Sequence, residues 1–198
     1  MKYNFDQKVD RKGTGAFKLE GYKAYIFHAD DSMVLPFSDE EFIHLWVADM
    51  EFECAPEILD AIRERLDRKI LGYTGNLDSK LYDALSAWCK ERYDFEFDQE
   101  DLVLSDGVVP AIVRIISYLV KEDEKIVFNT PAYGQFAAAC KLNNREYITS
   151  DLLKDSEGRY TMNFEEMEEL FAREDTKLFI LCNPHNPSHV KLMTKKGL

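Results

Sequence analysis

The sequence predicts an open α/β fold: a mostly parallel sheet with helices on both faces, preceded by an irregular N-terminal arm. Two observations carry this. From Asp101 onward, short apolar or β-branched runs alternate with segments of helical period, the pattern of strands joined by helical crossovers. The run Leu178-Phe179-Ile180-Leu181-Cys182 then empties into Asn183-Pro184-His185-Asn186-Pro187, a polar turn held by two prolines. Ligands of open α/β sheets bind outside the carboxyl ends of the strands, and this turn stands at such an end. Each proline restricts itself and the residue before it, so the turn would fix Asn186 with its amide in the crevice.

The elements follow in order. Residues 1–45 look irregular and carry Tyr3, Phe5, Phe17, Tyr22, Tyr25 and Phe27, an arm expected to need a second surface to cover it. The first helix runs from Pro56 to Ile70. Pro56 suits a first helical turn, and Ile58, Leu59, Ile62, Leu66 and Ile70 recur at helical spacing. A turn at Gly72-Tyr73-Thr74-Gly75 leads to a second helix over Ser79–Tyr93, with Leu81, Leu85 and Trp88 on one face. Leu102-Val103-Leu104 reads as a short strand and Ala111–Val120 as a very apolar helix. Lys125–Asn129 is a strand, and Gln135–Leu142 a helix whose Ala137-Ala138-Ala139 face permits close packing. Glu146–Thr149 is a strand, Phe164–Ala172 an amphipathic helix and Lys177–Cys182 the last strand. Thr194–Leu198 would begin a further helix, so the sheet is expected to be cut off early.

Composition narrows the function classes. The 198 residues are 45% hydrophobic, enough for a real core, and carry a net charge of −12. That charge argues against nucleic acid, which requires basic patches. No apolar run approaches membrane-spanning length and residues 1–20 are too polar for a signal peptide, which makes the cytoplasm the expected compartment. Cys54, Cys89, Cys140 and Cys182 form no paired motif and suit reduced thiols. Cys182, His185 and His189 are close in sequence, but the intervening prolines break the helix that would align them, and no metal site is expected.

Three further strings stand where chemistry is done. Ser105-Asp106-Gly107-Val108-Val109-Pro110-Ala111 leads into an apolar helix, and its free backbone amides would face an anion at the helix N-terminus. Asp106 is an odd neighbour for a phosphate. Tyr133, in Thr130-Pro131-Ala132-Tyr133-Gly134, follows a strand and could stack on a flat ring. Leu45-Trp46-Val47-Ala48-Asp49-Met50-Glu51-Phe52 couples an indole to a carboxylate just before the first helix. Taken singly, these read as a plain turn, a tyrosine packed under a loop, and a core anchor for the arm. Their order and spacing say more.

Trp46-Val47-Ala48-Asp49-Met50, Gly72-Tyr73-Thr74, Gly107-Val108-Val109-Pro110-Ala111, Thr130-Pro131-Ala132-Tyr133 and Cys182–Pro187 resemble, in that order, the cystathionine β-lyase-like (MalY/PatB-type) branch of the class I/II aminotransferase superfamily. The resemblance covers nearly the whole chain, from about Asn4 to Pro187. It implies fold type I of the enzymes that use pyridoxal 5′-phosphate (PLP), here as an incomplete large domain plus the arm. Residues 1–50 would be the arm and part of the small domain, and residues 51–198 the first part of the PLP-binding domain. By the same resemblance the Val108 and Val109 amides would hold the PLP phosphate, Tyr133 would stack on the pyridine ring and Asn186 would hydrogen-bond its phenolic oxygen. Tyr73 would reach the phosphate of a neighbouring subunit in a homodimer, and the segment around Ala48 would line the pocket for the α-carboxylate of an amino-acid substrate.

The chain also departs from the pattern. After Pro187 the family continues with a glycine-containing turn and Trp-Thr, whereas Ser188-His189-Val190-Lys191-Leu192 stands here. The family's later aspartate for the pyridinium nitrogen, Schiff-base lysine and substrate-binding arginine have no counterpart in these 198 residues. The resemblance therefore implies a carbon–sulfur β-lyase family, acting on cystathionine or cysteine S-conjugates, with no catalytic lysine in this chain and weak or absent PLP binding by it. An aminotransferase, or a non-catalytic remnant that binds a partner, are the alternatives.

Overall fold

The computed structural model describes residues 3–30, 32–73, 75 and 79–191. The chain divides into two compact units, Met1–Thr74 and Gly75–Leu198.

The first unit holds α1 (Phe17–Glu20), α2 (Tyr22–Phe27) and α3 (Pro56–Asp67). Its aromatic residues pack largely on one another. Tyr22, 1% exposed, stacks on Phe42 with ring centroids 4.5 Å apart and donates its hydroxyl to Asp39 at 2.6 Å. Trp46 packs against Phe17 and Tyr25 and donates its indole N–H to the Lys18 carbonyl at 2.9 Å. The indole thus anchors the arm. Lys18 is buried beneath it, where its ammonium donates to the Asp49 carbonyl and pairs with Glu51 at 2.6 Å. Buried charge is tolerated only when paired and hydrogen-bonded in this way. In α3, Pro56 occupies the first turn as its fixed φ and missing donor allow, and Ile58, Ile62 and Leu66 make an apolar stripe that is half exposed.

The second unit begins with α4 (Ser79–Tyr93), which ends at the residue the periodicity predicts. A 3₁₀ turn at Gln99–Asp101 follows, closed by a capping box between Asp98 and Asp101. Then come α5 (Val108–Leu119), β1 (Lys125–Thr130), α6 (Gln135–Leu142) and β2 (Glu146–Asp151). The small hairpin of β3 (Leu153–Lys154) and β4 (Tyr160–Thr161) precedes α7 (Phe164–Phe171) and β5 (Thr176–Ile180). The main sheet has the order β2-β1-β5, all parallel, with Phe128 opposite Thr149 on one side and Ile180 on the other.

Alternation along β1 shows why the sheet is covered on both faces. Ile126 and Phe128 point into a core shared with Ile116 and Val120 at the end of α5 and with Phe136, Ala139 and Cys140 of α6. Asn129, of opposite parity, meets the other face, where its amide donates to the Ser150 carbonyl and contacts Met167 of α7. Phe179 of β5 packs edge-on against Phe171 of α7 on that same side. The chain steps from β1 to β2 through α6, then returns past β1 to β5 through α7. The two crossovers run in opposite directions, so the right-handed rule for parallel strands expects their helices on opposite faces, where these contacts place them. Each fully buried aliphatic or aromatic side chain of the core contributes about 1.5–3 kcal/mol.

Three expectations need correction. The first helix, expected to reach Ile70, ends at Asp67, and Lys69 just beyond it takes a positive φ of 58°. Leu102-Val103-Leu104 is not a strand: among the described residues it pairs with nothing, and Val103 is 85% exposed. An apolar triplet forms a strand only where a neighbour takes its backbone hydrogen bonds. The helix expected from Ala111 begins at Val108, because Pro110 falls inside the first turn, where a missing N–H costs nothing. The helix expected at Thr194–Leu198 and Thr74 of the glycine turn lie outside the described residues. Among the described residues no helix is long and apolar enough to cross a membrane.

Candidate functional site

The parallel sheet sets the location. β1 and β5 are adjacent, so the segments leaving their carboxyl ends, Pro131–Gly134 and Leu181–Pro187, emerge side by side. The third contributor is the N-terminus of α5. Its last turn joins β1 through a short link, with Arg145 donating to the Val120 carbonyl at 2.9 Å. The helix therefore runs back antiparallel to β1. Twelve helical residues span about 18 Å, and the six residues of β1 about 20 Å, so α5 begins at the level where the strands end. Packing agrees: Ile112, Ala132 and Cys182, one from each segment, all lie against the same core.

At the start of α5, Gly107 is the N-cap with φ 150° and ψ 172°, a region essentially closed to residues with a side chain. The Ala111 amide returns to the Gly107 carbonyl at 3.1 Å. Pro110 has no N–H, and among the described residues the Val108 and Val109 amides have no acceptor. Two free donors thus stand at the positive end of a three-turn helix. Asp106 does not crowd them as a free charge, since its carboxylate pairs with Arg114 of α5 at 3.2 Å.

Tyr133 lies three residues beyond β1 and is 43% exposed. Its ring stands perpendicular to that of buried Phe136, centroids 5.8 Å apart, an edge-to-face contact that fixes the ring plane. Thr130, at the end of β1, donates its hydroxyl to Asp151 at the end of β2 and ties the two strand ends together.

Asn186 sits in a turn that folds back on itself. Its backbone N–H donates to Cys182 Sγ at 3.3 Å, while the side-chain amide is exposed and has no partner among the described residues. The peptide bonds Asn183–Pro184 and Asn186–Pro187 are both cis. His185 is 2% exposed, and burial pushes its imidazole below its ordinary pKa, which keeps the ring neutral. Its Nδ1 lies 2.9 Å from Ser188 Oγ. The sequence presents His185 as part of the Cys182–Pro187 string and as a rejected metal ligand, with no role of its own. The available signal was its place between two Asn-Pro pairs, where an exposed histidine would have no reason to be.

Four of the expected site residues, Val108, Val109, Tyr133 and Asn186, are thus brought to one end of one sheet. Tyr73 and Ala48 belong to the first unit, and both are exposed there. Beside Ala48, Asp49 accepts a hydrogen bond from Arg11 that holds its carboxyl below the usual range. A separate groove of about 670 Å³ runs between α4 and the segment Glu96–Asp101 and shares no residue with the strand ends. Its acidic rim surrounds Lys90, whose pKa is raised by hydrogen bonds to Asp94 and Glu96.

Comparison with known proteins agrees with this architecture. The chain is 33% identical over 185 residues to the cystathionine β-lyase PatB of Bacillus subtilis, covering 93% of this chain and 44% of that protein. It is 27% identical to the protein MalY of Escherichia coli, covering 94% of this chain and 45% of the relative. Among solved structures it resembles the PLP-bound C–S lyase of Staphylococcus hominis, with TM-score 0.85 and 39% identity over 98% of this chain and 46% of that one. The chain therefore spans a little under half the length of these relatives. The family model for aminotransferase class I and II matches residues 40–194, and the chain belongs to that family.

Proposed function

We propose that the strand-end residues form the cofactor-holding part of a PLP-dependent carbon–sulfur β-lyase, whose intact form cleaves cystathionine or cysteine S-conjugates to thiol, pyruvate and ammonia. The observation that carries this is the pair of free first-turn amides, Val108 and Val109, on the same sheet end as Tyr133 and Asn186. The donor set fits the group. A phosphate needs N–H donors without a free carboxylate beside them, and α5 offers two amides with Asp106 engaged by Arg114. A pyridine ring needs a flat apolar face, which Tyr133 offers. A phenolic oxygen needs a donor, and the Asn186 amide has no partner among the described residues.

When bound, the cofactor supplies the electron sink for the carbanion at the substrate Cα. The chain's own residues hold and orient. Val108 and Val109 would fix the phosphate, Tyr133 the plane of the ring, and Asn186 its rotation in that plane by donating at the phenolic oxygen. Two of the four act through backbone amides, one through a ring face and one through a side-chain amide, so proton removal from Cα is not assigned to them. Tyr73 is proposed to reach the phosphate of the partner subunit in a homodimer, and Ala48 to line the pocket for the substrate carboxylate. The lyase names of PatB and the Staphylococcus hominis enzyme favour elimination over amino transfer.

Two experiments test the reading. Titration of the chain with PLP, followed by absorbance, should saturate, and Val109→Pro, which deletes one donor in a helical position that tolerates proline, should weaken it. Joining residues 1–187 to the remaining segment of the Staphylococcus hominis lyase should release pyruvate from cystathionine. A soluble, PLP-loaded chimera that only exchanged amino groups with 2-oxo acids would replace the lyase reading by an aminotransferase one.

A further inference from the structure

The exposed amide of Asn186 makes no side-chain hydrogen bond of its own among the described residues, so its direction is set by the backbone that carries it. That backbone is unusually constrained for a loop. His185 donates its N–H to the Val190 carbonyl at 2.8 Å and accepts from the His189 N–H at 2.7 Å, and His189 takes a positive φ of 57° to close the turn. The imidazole reaches inward and meets Ser188 Oγ at 2.9 Å, so side chain and main chain of one residue join both arms of the turn. On the other side, Cys182 Sγ accepts the Asn186 N–H. A loop at the mouth of a sheet has no need of a 2%-exposed imidazole for solubility, and burying one with a polar partner costs desolvation that must be offset by what it holds.

We propose that His185 is a positioning residue for Asn186: buried and bonded to Ser188, it clamps the turn Cys182–Val190 so that the Asn186 amide stays aimed into the strand mouth. The purpose of this clamp rests on the cofactor reading above, whereas the clamp itself can be measured without cofactor. Asparagine can place a donor or acceptor near the position of imidazole Nδ1, so His185→Asn retains the bond to Ser188 and His185→Ala does not.

The test uses the whole chain as wild type, His185→Ala, His185→Asn, Asn186→Ala and the double variant His185→Ala/Asn186→Ala. Hydrogen exchange of the segment 181–191, read by mass spectrometry, should accelerate about fivefold in His185→Ala, the value of one hydrogen bond, and stay near wild type in His185→Asn. The dissociation constant for PLP, measured by equilibrium dialysis, should rise in both single alanine variants. Because His185 acts through Asn186, the double variant should be no weaker than Asn186→Ala alone. A merely structural role would make the two losses add, and that result overturns the proposal. Unchanged exchange in His185→Ala overturns it too. PLP binding that Asn186→Ala weakens and His185→Ala leaves intact removes the positioning role alone. No saturable PLP binding by wild type removes the cofactor reading and this role with it.

Discussion

Tyr133 and His185 show how much of the site depends on what a side chain is packed against. The Tyr133 ring is held by its perpendicular contact with Phe136, and among the described residues its hydroxyl has no hydrogen-bond partner. Tyr133→Phe should therefore leave PLP binding near wild type, and Tyr133→Ala should weaken it by about 1 kcal/mol, roughly fivefold. A Phe variant as weak as the Ala variant, in the same absorbance titration, would assign the role to the hydroxyl instead. His185 makes a second, independent statement about pH. Burial lowers its pKa in the folded chain, so the fold prefers the neutral ring. Below the unfolded value of about 6.5 the unfolded chain takes up a proton that the folded chain resists, and stability falls as pH falls. Asp39, Asp49, Asp155 and Asp175 are also held low by their partners. Their losses begin near the ordinary carboxylate value of about 3.9 and do not overlap the upper part of the histidine window. Between pH 7.5 and 5.5 the urea midpoint of wild type should drop more than that of His185→Asn. Parallel midpoints would show that the ring titrates in the folded state as it does in water.

At the scale of elements, α5 is the piece on which the site turns, and it was also the piece least well bounded in the sequence. Its apolar period is plain from Ala111, whereas the structure starts the helix at Val108 with Pro110 inside the first turn. That shift of three residues is what makes Val108 and Val109 helical donors. Gly107 permits it with φ 150°, and Gly107→Ala should cost about 1–3 kcal/mol of stability through backbone strain. Among the described residues its added Cβ would meet Pro110 Cδ first, at 3.6 Å, so the loss would come from conformation and not from a clash. Urea unfolding that showed no loss would mean the turn has another accessible geometry. Elsewhere legibility followed pairing. α4 and α6 were read residue for residue because their periods run uninterrupted between polar ends. β1, β2 and β5 were recognised within two residues at each end, since buried strands are apolar where they pair. Leu102–Leu104 had the same composition and failed, because no strand among the described residues lies beside it. The covering of the sheet by α7 through Asn129, Ser150 and Glu166 was not legible, because polar contacts across a sheet face have no sequence period.

For the molecule as a whole, the exposed apolar surface is as informative as the core. Ile58, Ile62 and Leu66 stand out on α3, and Tyr118 and Leu119 on α5, with exposures from 53% to 87%. Apolar faces of this kind mark association surfaces or aggregation hazards. Expressed as these 198 residues, the chain should associate, bind hydrophobic dye or require a partner. A monodisperse monomer melting cooperatively above about 60 °C would contradict that. We propose that these 198 residues hold PLP through Val108, Val109, Tyr133 and Asn186 without tethering it to a lysine. The most direct measurement is to incubate the chain with PLP, reduce with borohydride and map the labelled peptides by mass spectrometry. Weak, reversible binding is expected, with label scattered at low yield over surface lysines. One lysine labelled to stoichiometry, accompanied by pyruvate release from cystathionine, would contradict it.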